Sequence, residues 1–140
     1  MEELLELRKS ITSGDYIQAL EIVDELEAMS KEDKLEKIYS YTIILLLHLI
    51  KQEAEKRTTK SWEVSIKNAR ERINRINKRR KSGGYYAQKE ELEEIINDAV
   101  APALRNASLE AFEGSYSERE ILESINLDLI KSKALEMLDY

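Results

Sequence analysis

The sequence contains no cysteine and only one histidine among its 140 residues. Without cysteine, the chain cannot form disulfides, bind zinc through thiolates, hold a cysteine-ligated iron–sulfur cluster or attack a substrate with a thiolate. A single histidine also excludes a histidine-rich metal site. We therefore expect neither a metal ion nor another cofactor.

Glycine and proline are scarce as well, with four and one residues respectively. So few turn-forming residues argue against a turn-rich all-β fold and against a disordered linker. Long hydrophobic runs are also missing, because the most apolar stretch, residues 43–50, is much shorter than the roughly 20 residues of a membrane span. The N-terminus has neither the basic nor the apolar region of a secretory signal. We expect a cytoplasmic protein that does not enter the membrane.

Hydrophobic residues recur instead at helical spacing along nearly the whole chain. The predicted helices cover about 2–12, 16–29, 31–56, 62–80, 86–112, 118–124 and 128–140. Residues 31–56 form the longest segment and are apolar nearly all round, which indicates a helix with neighbours on several faces. We predict an all-α fold, a single-domain bundle of five to seven helices over 1–140. In this prediction 31–56 is a buried central helix, and 128–140 is a loosely packed C-terminal helix.

Capping signals set the predicted ends of several helices. Gly14 suits a left-handed C-terminal residue and Asp15 can cap the next helix, so they separate the first two helices. Ser30 opens the central helix in a pattern that resembles a capping box. Ser61 is the predicted N-cap of the fourth helix. The second helix carries an apolar stripe formed by Tyr16, Ile17, Leu20, Val23 and Leu26, with Ala19 and Ile22 beside it.

The net charge of −6 conceals a strong asymmetry along the chain. Residues 1–50 carry 5 basic and 11 acidic groups, which gives −6. Residues 51–81 carry 12 basic and 4 acidic groups, which gives +8, and we call this segment the basic block. Residues 82–140 carry 5 basic and 13 acidic groups, which gives −8.

Two interpretations of the basic block compete. The favoured one is internal complementarity, in which basic side chains pair with acidic helices and arginines such as Arg57, Arg70 and Arg72, near Asn68, clamp carboxylates. The alternative is a surface for nucleic acid or phosphate, which the overall charge of −6 disfavours at long range. The residues that would form that surface are Arg57, Lys60, Lys67, Arg75, Lys78, Arg79, Arg80 and Lys81.

The sequence contains no recognisable catalytic constellation. His48 has no partner at a diagnostic spacing, and the position that a di-iron Glu-x-x-His pair would need is occupied by Leu45. Glycine-rich phosphate loops and the Gly-x-Ser-x-Gly nucleophile motif are missing too. The chain is therefore more consistent with a binding protein than with an enzyme. The remaining enzyme hypothesis places His48 in a pocket with Tyr41, Glu55 or Arg57.

Three parts of the sequence together resemble a known family pattern. They are Leu-Leu-Leu-His-Leu-Ile-Lys over 45–51, Arg57, and Lys-Ser-Trp-Glu-Val-Ser-Ile-Lys-Asn-Ala-Arg over 60–70. This order of residues resembles the bacterial family named domain of unknown function (DUF) 29, which is found in cyanobacteria and proteobacteria. The resemblance implies an all-helical single domain and carries over no activity. It marks these positions as candidate site residues: His48, Lys51, Arg57, Ser61, Trp62, Asn68 and Arg70.

The predicted function is that of a non-enzymatic protein–protein interaction or regulatory module. Its expected partner is another protein or a second copy of the chain. A nucleic-acid or phosphate binder that uses the basic block is the alternative, and an enzyme centred on His48 is the least favoured hypothesis. The three hypotheses differ most clearly in whether the basic side chains face solvent or the acidic helices.

Overall fold

The computed structural model describes residues 2–79 and 81–140. By its internal contacts the chain divides into two compact units, Met1–Lys34 and Leu35–Tyr140. In the part of the chain that the structure describes there are six α-helices and no strand, so the predicted all-α class is confirmed. None of the described helices is long and apolar enough to cross a membrane.

The first unit contains helix α1 (Glu2–Ser13) and the beginning of helix α2 (Tyr16–Glu55). Gly14 separates the helices with a left-handed φ of 78°. The backbone N–H of Asp15 donates to Ser10 O at 2.8 Å, and the Asp15 carboxylate accepts from Gln18 N at 3.2 Å. The predicted break at Gly14 and Asp15 is therefore confirmed, with glycine and aspartate in the expected roles.

The predicted helix boundary at Ser30 is wrong, because α2 is continuous from Tyr16 to Glu55. Ser30 lies inside the helix and is exposed. No glycine or proline stands between Tyr16 and Glu55, and Lys and Glu, which are good helix formers, flank the predicted break. A capping pattern alone does not end a helix when the residues before and after it both favour the helical conformation.

Within the second unit, the core surrounds the last part of α2. Ile38, Leu45, Leu46 and Ile50 are almost completely buried, as the prediction of a buried central helix requires. The remaining helices are α3 (Lys60–Asn77), α4 (Lys89–Glu110), α5 (Glu118–Ser124) and α6 (Leu127–Glu136). Helix α4 contacts α5 and α6, and it supplies a row of buried side chains that includes Leu92, Ile96 and Ala99.

The C-terminal segment is held by side chains of α3. Ile130 and Ala134 of α6 are buried in the core. Asn74 Nδ2 donates to Met137 O at 3.2 Å, and Asn74 Oδ1 accepts from Asp139 N at 2.9 Å. These contacts run along the end of the segment 128–140, for which the sequence predicts looser packing.

A strained turn follows α4. Phe112 and Glu113 have left-handed φ values of 50° and 57°, and Gly114 continues with 79°. Residues other than glycine adopt such backbone angles at a cost of roughly 1–2 kcal/mol each, so surrounding contacts must stabilise the turn. One such contact is the edge-on packing of the Phe112 ring on Tyr116, with centroids 4.5 Å apart.

Candidate functional site

The N-terminus of α3 sets the position of Trp62, the only tryptophan of the chain. Thr59 has extended backbone angles and is the N-cap, and its side chain accepts a hydrogen bond from the Trp62 backbone N–H at 3.1 Å. The predicted N-cap, Ser61, lies inside the first turn and is exposed, so that prediction is wrong. The Thr59 hydroxyl already satisfies a free N–H of the first turn, and the helix begins two residues earlier than predicted.

Two cations lie close to the ring of Trp62. Lys51 Nζ and the guanidinium carbon of Arg57 are each 4.7 Å from the centroid of its ring. Tryptophan binds cations more strongly than the other aromatic side chains, and desolvation strengthens the attraction. Only 9% of Trp62 is exposed, so the ring is nearly covered. The structure therefore brings three of the candidate residues, Lys51, Arg57 and Trp62, together.

Each of these cations also has a carboxylate partner. Lys51 Nζ donates to Glu110 Oε1 at 3.1 Å, and Arg57 Nε donates to Glu55 Oε1 at 3.1 Å. The second oxygen of Glu55 accepts from the backbone N–H of Phe112 at 3.4 Å, which ties the strained turn to α2. We call the following residues the Trp62 cluster: Lys51, Glu55, Arg57, Trp62 and Glu110.

The Trp62 cluster is balanced in charge, with two cations and two carboxylates. It joins the end of α2, the start of α3 and the end of α4. With both cations paired and the ring nearly covered, the geometry is that of a structural clamp. Sequence reasoning misses Glu110, because 59 residues separate it from Lys51 and no local pattern links the two.

The hydrogen bond of His48 does not involve the charged residues of the Trp62 cluster. Its Nδ1 is 2.9 Å from the carbonyl oxygen of Ile44, one turn earlier in α2. A carbonyl can only accept, so this ring nitrogen donates to the helix backbone. Glu55 and Arg57, two of the proposed partners of His48, are instead bonded to each other. Among the described residues, no group of three or more His, Cys, Asp or Glu side chains could hold a metal ion.

A further candidate position, Asn68, lines a groove between α2 and α3. This α2–α3 groove has a volume of about 460 Å³. Its lining residues are Tyr41, Ile44, Ser65, Asn68, Ala69, Glu71, Arg72 and Arg75. The guanidinium carbon of Arg72 lies 6.0 Å from the Tyr41 ring centroid, so this arginine covers one wall. Arg70 is exposed on α3 and is not among the lining residues.

The basic block faces solvent over most of α3. Within the residues that the structure describes, Lys67, Arg70 and Arg75 are exposed and form no ion pair. Lys60, Lys78 and Lys81 are exposed as well, while Arg80 lies outside the described residues. Lys51 does pair with an acidic residue of α4. The favoured prediction of internal pairing is therefore wrong for the α3 part of the block and holds for the Trp62 cluster.

The first part of α2 carries an apolar surface that is also exposed to solvent. Tyr16, Ile17, Leu20 and Val23 are 65%, 76%, 64% and 41% exposed, and we call these four the N-terminal apolar face. The spacing of Tyr16, Leu20 and Val23 places them along one side of the helix. Helix α2 buries the neighbouring Ala19 and Ile22, and Leu26, the fifth residue of the predicted stripe, is half-buried. The covered side is therefore displaced from most of the stripe predicted from sequence.

The helices and their buried core place the chain in the all-α class. Its sequence matches the family described as Domain of unknown function DUF29 over residues 5–138. The chain therefore belongs to this family, and the resemblance seen around His48 and Trp62 is confirmed. Comparisons with the curated proteins and with the solved structures find no match.

Proposed function

We propose that this chain is a non-enzymatic interaction module that binds a helix of a partner protein on its N-terminal apolar face. The observation that carries the proposal is the exposure of four large apolar side chains along one side of α2. Scattered apolar residues are normal on a surface, whereas a contiguous row of this size marks an interaction site. A row along one helix matches the way in which an amphipathic partner helix packs.

The charge around the face indicates the chemistry of the partner. Glu21 and Asp24 follow Ile17 and Leu20 by one turn, and both are exposed. Residues 2–34 carry 4 basic and 10 acidic groups, so their net charge is −6. A second copy of the chain would bring a second negative rim to the contact. An amphipathic helix with lysine or arginine along its flanks avoids this repulsion and gains complementary pairs.

Synthetic peptides test this proposal directly. The first peptide, about 14 residues long, carries leucine at helical spacing and lysine on both flanks of the apolar stripe. The second has glutamate in place of lysine, and the third has the basic composition in scrambled order. We expect fluorescence anisotropy to detect binding of the first peptide and at least roughly tenfold weaker binding of the other two. Equal affinity for all three, or binding to none, would contradict the proposal.

A matched pair of variants locates the contact. Leu20→Asp places a charge in the N-terminal apolar face, and Leu109→Asp places the same charge on α4 at a leucine that is 74% exposed. We expect Leu20→Asp to weaken peptide binding by roughly tenfold or more, because a buried unpaired carboxylate costs several kcal/mol. Leu109→Asp should leave the affinity unchanged. If Leu20→Asp also lowers the free energy of unfolding, the face is part of the fold and the proposal fails.

A second candidate function is the binding of nucleic acid by the basic block. The solvent exposure of Lys67, Arg70, Arg75 and Lys78 favours it, because these cations are available to phosphates. Such binding weakens steeply with salt, since each phosphate contact releases a counterion. Titration of mixed single-stranded and double-stranded oligonucleotides at two salt concentrations tests this candidate. Absence of binding at the lower salt concentration would remove it.

A further inference from the structure

We propose that the α2–α3 groove binds a small phosphate-bearing ligand of the nucleotide class. The proposal rests on the lining of the groove and is independent of the N-terminal apolar face. The volume of about 460 Å³ lies in the range of small-molecule sites, which runs from roughly 300 to 1,000 Å³. Such sites combine an apolar wall with a few polar groups that fix orientation.

The polar side of the groove suits a phosphate. Asn68, Arg72 and Arg75 project from α3 at spacings of four and three, which places them on one side of the helix. Within the described residues, neither arginine forms an ion pair, although Glu71 stands four positions before Arg75. An arginine fork binds two phosphate oxygens at once, and the Asn68 amide supplies a further donor.

The other side of the groove suits a flat apolar body. Tyr41, Ile44 and Ala69 provide an aromatic ring and aliphatic carbons beside the arginines. The guanidinium carbon of Arg72 stands 6.0 Å from the centroid of the Tyr41 ring, so the charged side of the groove lies next to its aromatic side. Nucleobases stack on tyrosine rings, so Tyr41 offers a platform for a base. A ligand with a phosphate at one end and a base at the other therefore matches both halves of the groove.

A nucleic-acid polymer would bind a wider surface of α3 than the α2–α3 groove. Lys67, Arg70 and Lys78 are exposed and lie outside the groove, so a nucleic-acid backbone would engage them at least as much as Arg72 and Arg75. A small ligand held in the groove contacts the lining residues, and these three are not among them. This difference supplies a matched control within the same helix.

Isothermal titration of the full chain with adenosine 5′-monophosphate tests the proposal, with adenosine, inorganic phosphate and a single-stranded oligonucleotide as comparison ligands. We expect the nucleotide to bind roughly tenfold more tightly than adenosine or phosphate alone, since each half of the ligand contributes. Arg72→Gln and Arg75→Gln should each weaken nucleotide binding roughly tenfold, because each removes a charge-assisted hydrogen bond.

The control variants are Lys67→Gln and Arg70→Gln, which remove the same charge from the same helix outside the groove. They should leave nucleotide affinity unchanged within about twofold, and all four variants should unfold at the temperature of the parent chain because the substituted side chains are exposed. Equal losses in the groove and control variants would overturn the proposal by showing diffuse attraction. Absence of nucleotide binding would overturn it, as would tight oligonucleotide binding that depends on Lys67 and Arg70.

Discussion

Asn77 is a polar side chain in the centre of the core, with no exposed surface. Its Nδ2 donates to Ala87 O at 3.1 Å and to Asp139 O at 3.3 Å, and its Oδ1 accepts from Ala87 N at 2.7 Å. One amide therefore joins α3 to the segment before α4 and to the C-terminal end of the chain. All three bonds cross between segments that local sequence patterns treat as separate.

We expect Asn77→Ala to lower the free energy of unfolding by about 3 kcal/mol, because it leaves the Ala87 N–H and C=O buried without partners. Urea unfolding measures this change. The matched control is Asn106→Ala at an exposed position of α4, where alanine favours the helix and the expected change is close to zero. A similar loss in both variants would show that the buried network is not the cause.

Lys51 interacts with both Trp62 and Glu110, and a double-mutant cycle separates the two contributions. Lys51→Met keeps the aliphatic stem but removes the charge, and we expect a loss of about 1–2 kcal/mol in unfolding free energy. In a Glu110→Gln background Lys51 still contacts the indole ring, so Lys51→Met should still cost about 1 kcal/mol there. No residual cost there would show that the ion pair alone matters. Lys60→Met, at an exposed position, is the control.

The sequence predicts some of these residues and not others for a physical reason. Lys51, Arg57 and Trp62 lie close together in a recognisable motif, so their importance can be inferred before their contacts are known. Asn77 follows Ile73 by four residues and so continues the buried stripe of α3, which is the signal that could have revealed it. Its partners Ala87 and Asp139, like Glu110, are set by tertiary packing, which periodicity does not encode.

The strained turn after α4 provides a test at the level of an element. Gly114 and Gly83 both have left-handed φ values, of 79° and 74°. A Cβ at Gly114 would lie 3.2 Å from Leu109 O, whereas a Cβ at Gly83 would meet nothing within 4 Å. Both alanine variants should lose about 1 kcal/mol from the backbone angle, and Gly114→Ala should lose at least about 1 kcal/mol more from the close approach. Equal losses in thermal unfolding would contradict this assignment.

Helix positions were more predictable than helix ends. Periodicity locates most of the helices, including the buried part of α2, because a core-facing side must repeat with the helical period. It does not locate the continuous helix through Ser30, since a polar residue is compatible with both a cap and an exposed turn. It also does not show which side of α2 is covered, because Tyr16, Ile17 and Leu20 have the same apolar character as the buried Ile22.

The distribution of charge over the whole molecule has two separate explanations. Part of the basic block is neutralised in the Trp62 cluster, and the part on α3 is exposed to solvent. The first 34 residues are acidic around an exposed apolar row. Counting charges along the sequence locates these regions but does not predict their orientation, which depends on how each helix is rotated against its neighbours.

The function proposed for this chain is the binding of a basic amphipathic helix at the N-terminal apolar face. Methyl-resolved NMR of the full chain during titration with the lysine-flanked peptide tests it most directly. We expect the methyl signals of Ile17, Leu20 and Val23 to shift, because the partner's apolar side chains pack against them. The methyl signals of Val64 and Leu109, which are also exposed, should stay unchanged. Shifts at Val64 or Leu109 without shifts at Ile17, Leu20 and Val23, or no shifts at saturating peptide, would contradict the claim.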